Sequence, residues 1–146
     1  MAVSKGGVGM GNRPSWQGYF LNLACGVAQR STCPRAHVGA VIVHENRILT
    51  TGYNGSLPGQ PHCTEVGCDI RVINGVEHCG RAVHAEVNAV AQAAKFGVSI
   101  DGSTMYVWDE LARGENCADC MRVGLSAGIR QVIFGGPAWR TPHRVT

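Results

Sequence analysis

Apolar residues recur at three- and four-residue spacing in three stretches of the chain, the pattern of a helix with one buried face. Ser15, directly after Pro14, suits the N-cap of the first helix. Gly97 and Gly128 follow the last periodic residues of the other two and are natural C-terminal stops. The predicted helices span residues 15–30, 81–96 and 117–127.

Short runs rich in β-branched and aromatic residues predict strands at residues 38–43, 47–53, 104–108 and 130–134. A polar turn separates the first two, which indicates a hairpin. The unbroken apolar run of residues 38–43 predicts a first strand that is buried on both faces. Strands that alternate with helices after an opening hairpin favour an α/β fold, a three-layer α/β/α sandwich with a mixed central sheet.

Residues 54–80 lie between the hairpin and the second helix and show no clear period. This stretch contains Pro58, Pro61 and five glycines, so we expect a long irregular loop. Loops of this length are uncommon in compact domains unless they are functional or held in place. A bound metal ion could hold this one.

The chain length and the net charge limit the kinds of protein that this sequence can encode. The 146 residues fit one domain, with residues 1–13 as a flexible, glycine-rich leader and residues 14–146 as the domain. The net charge of +3 is scattered along the chain, which is compatible with a phosphorylated small molecule and does not indicate nucleic acid. The sequence shows neither the apolar core of a secretory signal nor a membrane span, so we expect a cytoplasmic protein with no membrane partner.

Cysteine is abundant, with seven residues in the chain. An odd number is unsuited to a disulfide framework, and the cytosol keeps thiols reduced. Cysteines and histidines are also crowded together between Asn54 and His84. We therefore expect metal ligands rather than disulfides.

Two short motifs stand at predicted helix starts. Cys117 and Cys120 share one face of a first helical turn, where the helix dipole favours thiolates, and His84 would give zinc a third ligand. Three protein ligands with an open fourth position are typical of catalytic zinc. Glu86 is well placed to carry protons for water in that position. Alone, a Cys-x-x-Cys pair is more often redox-active or structural, and a lone His-x-Glu means little.

His84-Ala85-Glu86 with Cys117-x-x-Cys120 resembles the zinc-dependent cytidine deaminase superfamily. Further runs resemble deoxycytidylate deaminases of bacterial and viral type, over about residues 20–134. These runs are VGAVIV at 38–43, RILTTGYNG at 47–55, HC at 62–63 and RAVHAEVNAVAQAAKFGVSIDGSTMYV at 81–107.

The resemblance implies hydrolytic deamination of dCMP to dUMP and ammonia in a cytidine deaminase-like fold. It makes His84, Cys117 and Cys120 the ligands of a catalytic zinc and Glu86 the general acid and base. It also implies that Asn54 hydrogen-bonds the nucleoside. On turn propensity alone, Asn54 could instead be a turn residue at a strand end.

Some viral-type relatives carry a second, structural zinc, and Cys33 and Cys63 stand where two of its ligands would be. Cys68 and Cys79 could complete a four-sulfur site that holds the long loop. Two histidines of the same region, His62 and His78, are competing ligands. The alternative is a set of unligated thiols. Cys25, on the first helix, is expected to be a buried apolar residue.

Basic side chains are the candidates for binding the substrate phosphate, because the planar guanidinium group of arginine matches the geometry of phosphate oxygens. We do not choose among four candidates, each of which could equally be a solvated surface charge. The resemblance further implies a homo-oligomer, commonly a hexamer, with dCTP as activator and dTTP as inhibitor near residues 52–55. The four candidates are Arg35, Arg71, Arg81 and His143.

The chain departs from the family pattern before Cys117. Asn116 replaces the usual proline, although asparagine can also cap a helix. The stretch Trp108–Asn116, with the polar run DELARGEN, is longer than in relatives and should lie at the mouth of the site. This departure leaves a 5-substituted dCMP open as substrate. The short tail after Phe134 leaves the family's fifth strand open.

Two other functions remain as alternatives. A tRNA adenosine deaminase shares the zinc motif, but the stretch 54–80 and the lack of a basic tail oppose it. A non-catalytic module with two closed zinc sites is opposed by Glu86, because a structural site needs no carboxylate beside an open position.

Overall fold

The computed structural model describes residues 13–111 and 117–137 and the backbone of residues 143–145. The predicted leader before Arg13, residue Asn116 and the side chain of His143 lie outside this description. The helices are α1 (Trp16–Ala28), α2 (Cys63–Val66), α3 (Ala85–Phe96) and α4 (Ala118–Ser126). The strands are β1 (Val38–His44), β2 (Arg47–Tyr53), β3 (Gly55–Ser56), β4 (Ile70–Ile73), β5 (Val76–Cys79), β6 (Ala82–Val83), β7 (Thr104–Asp109), β8 (Gln131–Gly135) and β9 (His143–Val145).

The main sheet has five strands in the order β2-β1-β7-β8-β9. Strands β7 and β8 are parallel, whereas the β1–β2, β1–β7 and β8–β9 pairs are antiparallel. The predicted mixed sheet is therefore confirmed, as are its four predicted strands. The short tail after Phe134 did not allow a fifth strand to be predicted, and the structure shows this strand as β9.

Helices cover both faces of the sheet, which confirms the three-layer prediction. On one face, Phe20 and Ala24 of α1 pack against Val41 and Val43 of β1. On the other face, the buried alanines of α3 pack against the remaining side chains of β1 and β7. Strand β1 is buried on both faces as predicted. The alanines of α3 are Ala85, Ala89 and Ala93.

Two glycines allow the helices to approach the sheet closely. A Cβ atom at Gly39 would overlap the backbone of α1 at Ala24 and Ala28. A Cβ atom at Gly52 would overlap the backbone of α3 at Ala85 and Ala89. The second contact matters for function, because it fixes the N-terminal turn of α3, where His84 and Glu86 lie.

Most of the predicted helix ends are confirmed to within two residues. Ser15 caps α1, since its side chain accepts a hydrogen bond from the Gly18 N–H at 3.1 Å. The prediction that the second helix begins at Arg81 is wrong, because Ala82–Val83 pair as a strand with Gly55–Ser56 and the helix begins at Ala85. In the described ranges, none of the helices is both long and apolar enough to cross a bilayer.

The prediction of an irregular loop over residues 54–80 is wrong for much of its length. The stretch contains helix α2 and a hairpin of β4 and β5. Asn74 and Gly75 form the hairpin turn with φ angles of 53° and 78°, the left-handed conformation that a two-residue hairpin turn requires. An Asn-Gly pair between two β-branched runs is the signal that could have revealed it.

Candidate metal centre and active-site cavity

The structure brings His84, Cys117 and Cys120 together, and we call them the histidine cluster. One ligand atom from each lies within 4.8 Å of the others, and His84 Nδ1 is 3.1 Å from Cys120 Sγ. Their positions follow from the fold: His84 is the N-cap of α3 and Cys117 is the N-cap of α4. Cys120 lies one turn further into α4, so both sulfurs face His84.

The chemistry of this donor set fits zinc, which takes nitrogen and sulfur ligands. Burial, followed by the negative charge of Glu86 and the contact with Cys117, raises the pKa of the Cys120 thiol. A divalent cation at this point would oppose that effect by stabilising the thiolate. The positive ends of the α3 and α4 dipoles act in the same direction.

Glu86 lies at the floor of a cavity beside the histidine cluster. Its side chain is 8% exposed, and it shares the walls of a cavity of about 520 Å³ with His84 and Cys117. Apolar side chains from the sheet, among them Val107 and Phe134, form part of the same walls. The carboxyl group can therefore exchange protons with a molecule in the cavity while it is largely shielded from bulk water.

A second group, which we call the cysteine cluster, consists of Cys63, Cys68 and Cys79. Their sulfur atoms also lie within 4.8 Å of one another, with 3.7 Å between Cys63 and Cys79. Cys63 begins α2 and Cys79 ends β5, so the elements that replace the predicted loop bring these sulfurs together. An all-sulfur set of this kind is typical of structural zinc.

The thiols of the cysteine cluster have unequal acidity. Burial, followed by the contact with Cys79, raises the pKa of Cys63 to about 11. Burial also acts to raise the pKa of Cys79, but backbone N–H groups of Ala82, Arg81 and Asp69 outweigh it and lower the value to about 7. These N–H groups stabilise a thiolate at Cys79, the form that binds a metal.

The other predicted ligands of this site are not among the three described sulfurs that lie within 4.8 Å of one another. Cys33 is buried and its charge raises the pKa of Cys68, whose rise comes first from burial and then from Cys79. Neither His62 nor His78 belongs to the described three-sulfur group. Cys25 is only partly buried, contrary to the prediction, because Ala24 takes the face of α1 that meets the sheet.

Asn54 is 8% exposed, and its side-chain amide is hydrogen-bonded to other groups of the protein. Its Oδ1 accepts hydrogen bonds from the Ser31 hydroxyl at 2.6 Å and the Val38 N–H at 2.9 Å. Its Nδ2 donates to the Ala36 carbonyl at 2.8 Å. These bonds tie the segment before β1 to the end of β2 and orient the amide, whether or not it also meets a substrate.

The arginines predicted to bind phosphate lie in different parts of the structure. Arg35 lines the cavity that contains Glu86, and its guanidinium lies 3.5 Å from Glu77. Arg71 is paired with Asp69 at 2.7 Å, and Arg81 donates to the Gly67 carbonyl at 3.3 Å.

Sequence reasoning missed two acidic residues of the cavity, the exposed Glu77 and the buried Asp109. Asp109 is 7% exposed and lines the same walls as Glu86. It was grouped with the polar run after Trp108, whereas the structure makes it the last residue of β7. The alternation of β7 is the signal that could have identified it, because Met105, Val107 and Asp109 are all on its buried side.

Comparisons with known proteins show which family the chain belongs to. The sequence profile of the family described as "Cytidine and deoxycytidylate deaminase zinc-binding region" matches residues 14–136. ComE operon protein 2 of Bacillus subtilis is 43% identical over 122 residues, which cover 84% of this chain and 60% of that protein. The deoxycytidylate deaminase of Mycobacterium phage D29 is 35% identical over 133 residues, which cover 84% of this chain and 96% of that enzyme.

A solved structure extends the likeness to the fold. The dCMP deaminase of cyanophage S-TIM5, in complex with dCMP and dUMP, aligns with a TM-score of 0.67 and 28% identity. The alignment covers 85% of this chain and 83% of the phage chain.

Proposed function

Because the chain belongs to the cytidine and deoxycytidylate deaminase family, we propose that it hydrolyses dCMP to dUMP and ammonia. The observation that carries this proposal is the burial of Glu86 in a cavity whose wall includes His84 and Cys117. A structural zinc site needs no shielded carboxylate beside it. Residues 14–146 would act as a single domain, since one sheet and its helices supply every group of the site.

The histidine cluster would hold the catalytic zinc of this zinc-binding family. Bound there, zinc supplies a polarised water that loses a proton near neutral pH. His84, Cys117 and Cys120 would supply three protein ligands, one fewer than structural zinc sites usually have, which would leave room for water on the ion. A purely structural zinc site is disfavoured here because such a site usually has four protein ligands.

Glu86 would move the protons of the reaction. Water forms a C4–O bond with the cytosine ring, and the C4–N bond to the amino group breaks. One proton of the water reaches ring N3, and the other reaches the departing amino group, which leaves as ammonia. A single carboxylate that is shielded from solvent can make both transfers, provided that it lies within hydrogen-bond reach of N3 and the amino nitrogen.

The remainder of the substrate would meet Arg35 at the cavity wall and Asn54, which is hydrogen-bonded to the wall residue Val38. Asn54 would hydrogen-bond the nucleoside through the amide group that Ser31 and Val38 hold in place. Arg35 would bind the phosphate, because it lines the cavity whereas Arg71 and Arg81 are engaged elsewhere. Its exposed partner Glu77 can release it at little cost, since exposed ion pairs contribute at most about 1 kcal/mol.

The cysteine cluster would hold a second, structural zinc, with Cys33 as the fourth ligand. Support comes from the three converging sulfurs and from Cys33, which is buried and lines the same cavity as Cys79. This ion would fasten α2 to the β4–β5 hairpin. Metal analysis of the Cys33→Ser variant tests the fourth ligand, which is supported by loss of one zinc per chain and contradicted by retention of both.

Assembly and regulation would follow the family. A homo-oligomer, commonly a hexamer, would cover the apolar side chains of the hairpin, where Val72, Ile73 and Val76 are 67%, 55% and 56% exposed. Control by dCTP and dTTP would act near residues 52–55, where Tyr53 is the exposed side chain. Light scattering and kinetics with each nucleotide test these points.

We propose that the protein is located in the cytoplasm, either of a bacterium or of a virus-infected host cell. Its free thiols suit this reducing compartment.

Ammonia release tests the activity and the identity of the substrate. The purified, zinc-loaded protein is incubated separately with dCMP, 5-methyl-dCMP, dCTP and cytidine. We expect dCMP to react fastest. Faster reaction of 5-methyl-dCMP would assign a 5-substituted substrate, and no ammonia from any of them would contradict the proposed function.

A further inference from the structure

An ion pair between Arg35 and Glu77 links two parts of the wall of the active-site cavity. Arg35 lies in the segment before β1, whereas Glu77 lies in β5 of the hairpin. The Arg35 Nη2 atom is 3.5 Å from the Glu77 Oε2 atom, and both side chains line the cavity that contains Glu86. The group assigned to the substrate phosphate therefore has a carboxylate beside it.

The two side chains of this pair can separate. Their exposed fractions are 43% for Arg35 and 64% for Glu77, so water can solvate each charge when the pair opens. The backbone next to Arg35 is held more firmly, because the Ala36 carbonyl accepts a hydrogen bond from Asn54 Nδ2 at 2.8 Å. A phosphate can thus replace the carboxylate by rotation of side chains, while the segment before β1 stays in place.

The charges of the cavity wall favour a competition of this kind. Among the described wall residues, three have carboxyl groups, and Arg35 is the single arginine or lysine. The planar guanidinium group matches carboxylate and phosphate equally well in geometry, so the two anions suit the same partner. Like charges also repel, so a phosphate bound to Arg35 gains less when a carboxylate lies nearby. The three carboxyl groups belong to Glu77, Glu86 and Asp109.

We propose that Glu77 is a specificity-determining residue that competes with the substrate phosphate for Arg35. When a nucleotide binds, its phosphate takes the guanidinium group and the Glu77 carboxylate turns toward solvent. The carboxylate thereby reduces the advantage that dCMP has over the unphosphorylated nucleoside. It also weakens the hold on dUMP, which has the same phosphate. This inference rests on the proposed function, because it presupposes a deoxycytidine nucleotide whose phosphate meets Arg35.

The test compares dCMP with deoxycytidine, which lacks the phosphate, on the zinc-loaded protein at low salt. Wild type should prefer dCMP in kcat/KM. Glu77→Gln should raise this preference by roughly 3- to 10-fold, through greater activity on dCMP with activity on deoxycytidine unchanged. The inhibition constant of dUMP should fall by a similar factor. At about 1 M salt the difference between the variants should shrink, because the Debye length is then only about 3 Å.

Glu45→Gln is the matched control, since it removes the same charge from an exposed side chain. Glu45 follows the end of β1 opposite the cavity residue Val38, and the variant should keep the wild-type preference. A second comparison repeats Glu77→Gln in an Arg35→Gln background. There the gain should be smaller, because the cation for which the two anions compete is absent.

The outcomes separate this role from the proposed function. An unchanged or lower preference in Glu77→Gln, or an equal gain with and without Arg35, would overturn the competition while wild-type activity on dCMP still supports the proposed function. A wild type that does not prefer dCMP over deoxycytidine would overturn the phosphate site at Arg35 together with this inference. A wild type that leaves dCMP unchanged would overturn the proposed function as well.

Discussion

The histidine cluster and the cysteine cluster use similar donor atoms in different surroundings. Each brings three ligand atoms within 4.8 Å of one another. The histidine cluster lies at two helix N-termini beside a cavity of about 520 Å³, with Glu86 buried next to it. The cysteine cluster lies where α2 meets the end of β5, and its partners are other thiols and backbone N–H groups. Only Cys79 of this cluster lines the cavity, and Cys63 and Cys68 are not among the described wall residues.

This difference shows that the neighbours of a metal site, more than its ligands, decide whether the site can perform chemistry. A cavity and a shielded carboxyl group would allow substrate entry and proton transfer at the histidine cluster. Thiols with backbone donors around them favour a closed, tightly held ion, which stabilises the fold. Substitutions in the two clusters should therefore separate activity from stability.

The largest effect is expected from Cys120→Ser. Removing one of three ligands should abolish zinc binding at the histidine cluster and lower kcat/KM by at least about 10⁴-fold, because the ion lowers the pKa of the attacking water and that effect is lost with the ion. Metal analysis should show one zinc fewer per chain. Retention of full activity would show that the two clusters do not differ in the way proposed.

Glu86→Gln should lower kcat by roughly 10²- to 10⁴-fold while the zinc content stays at the wild-type value, because only proton transfer is lost. Deamination kinetics and metal analysis are measured on the same sample. Asp119→Asn is the control, since its side chain is 87% exposed on α4, and it should behave like wild type. Loss of zinc from the Glu86 variant would contradict the assigned role.

Cys79→Ser should affect stability more than catalysis. Loss of the metal from the cysteine cluster should lower Tm by roughly 10 °C, which corresponds to about 3 kcal/mol in a domain of this size. Zinc at the histidine cluster should remain. Cys25→Ser on α1 provides the comparison in a scanning calorimeter, and equal Tm values for the two variants would argue against a structural ion.

The smallest effect is expected from Gly75→Ala in the hairpin turn. A side chain at a φ of 78° should destabilise the β4–β5 hairpin by about 1 kcal/mol. Zinc should then leave the cysteine cluster faster in a chelator assay, with kcat unchanged. Gly26→Ala, a helical site with open space around its Cβ position, should not accelerate release, and a similar acceleration in both variants would contradict the local explanation.

The order of helices and main-sheet strands could be predicted because periodicity reports directly which face of an element is buried. The triplet His84, Cys117 and Cys120 could also be singled out, since both motifs stand at helix starts. Residues 54–80 could not be interpreted by periodicity alone, because the exposed hairpin there has no buried face and its Asn74-Gly75 turn is the informative feature. Sequence reasoning misses Asp109 because the predicted strand ends at Trp108, one residue before the end of β7.

Diffraction at the zinc absorption edge from crystals of the purified protein tests the central claim most directly. The account predicts an anomalous peak bonded to His84 Nδ1, Cys117 Sγ and Cys120 Sγ at about 2.0–2.3 Å. A water should fill the fourth position within hydrogen-bond distance of Glu86. A fourth protein ligand in that position, or no zinc between these three side chains, would contradict it.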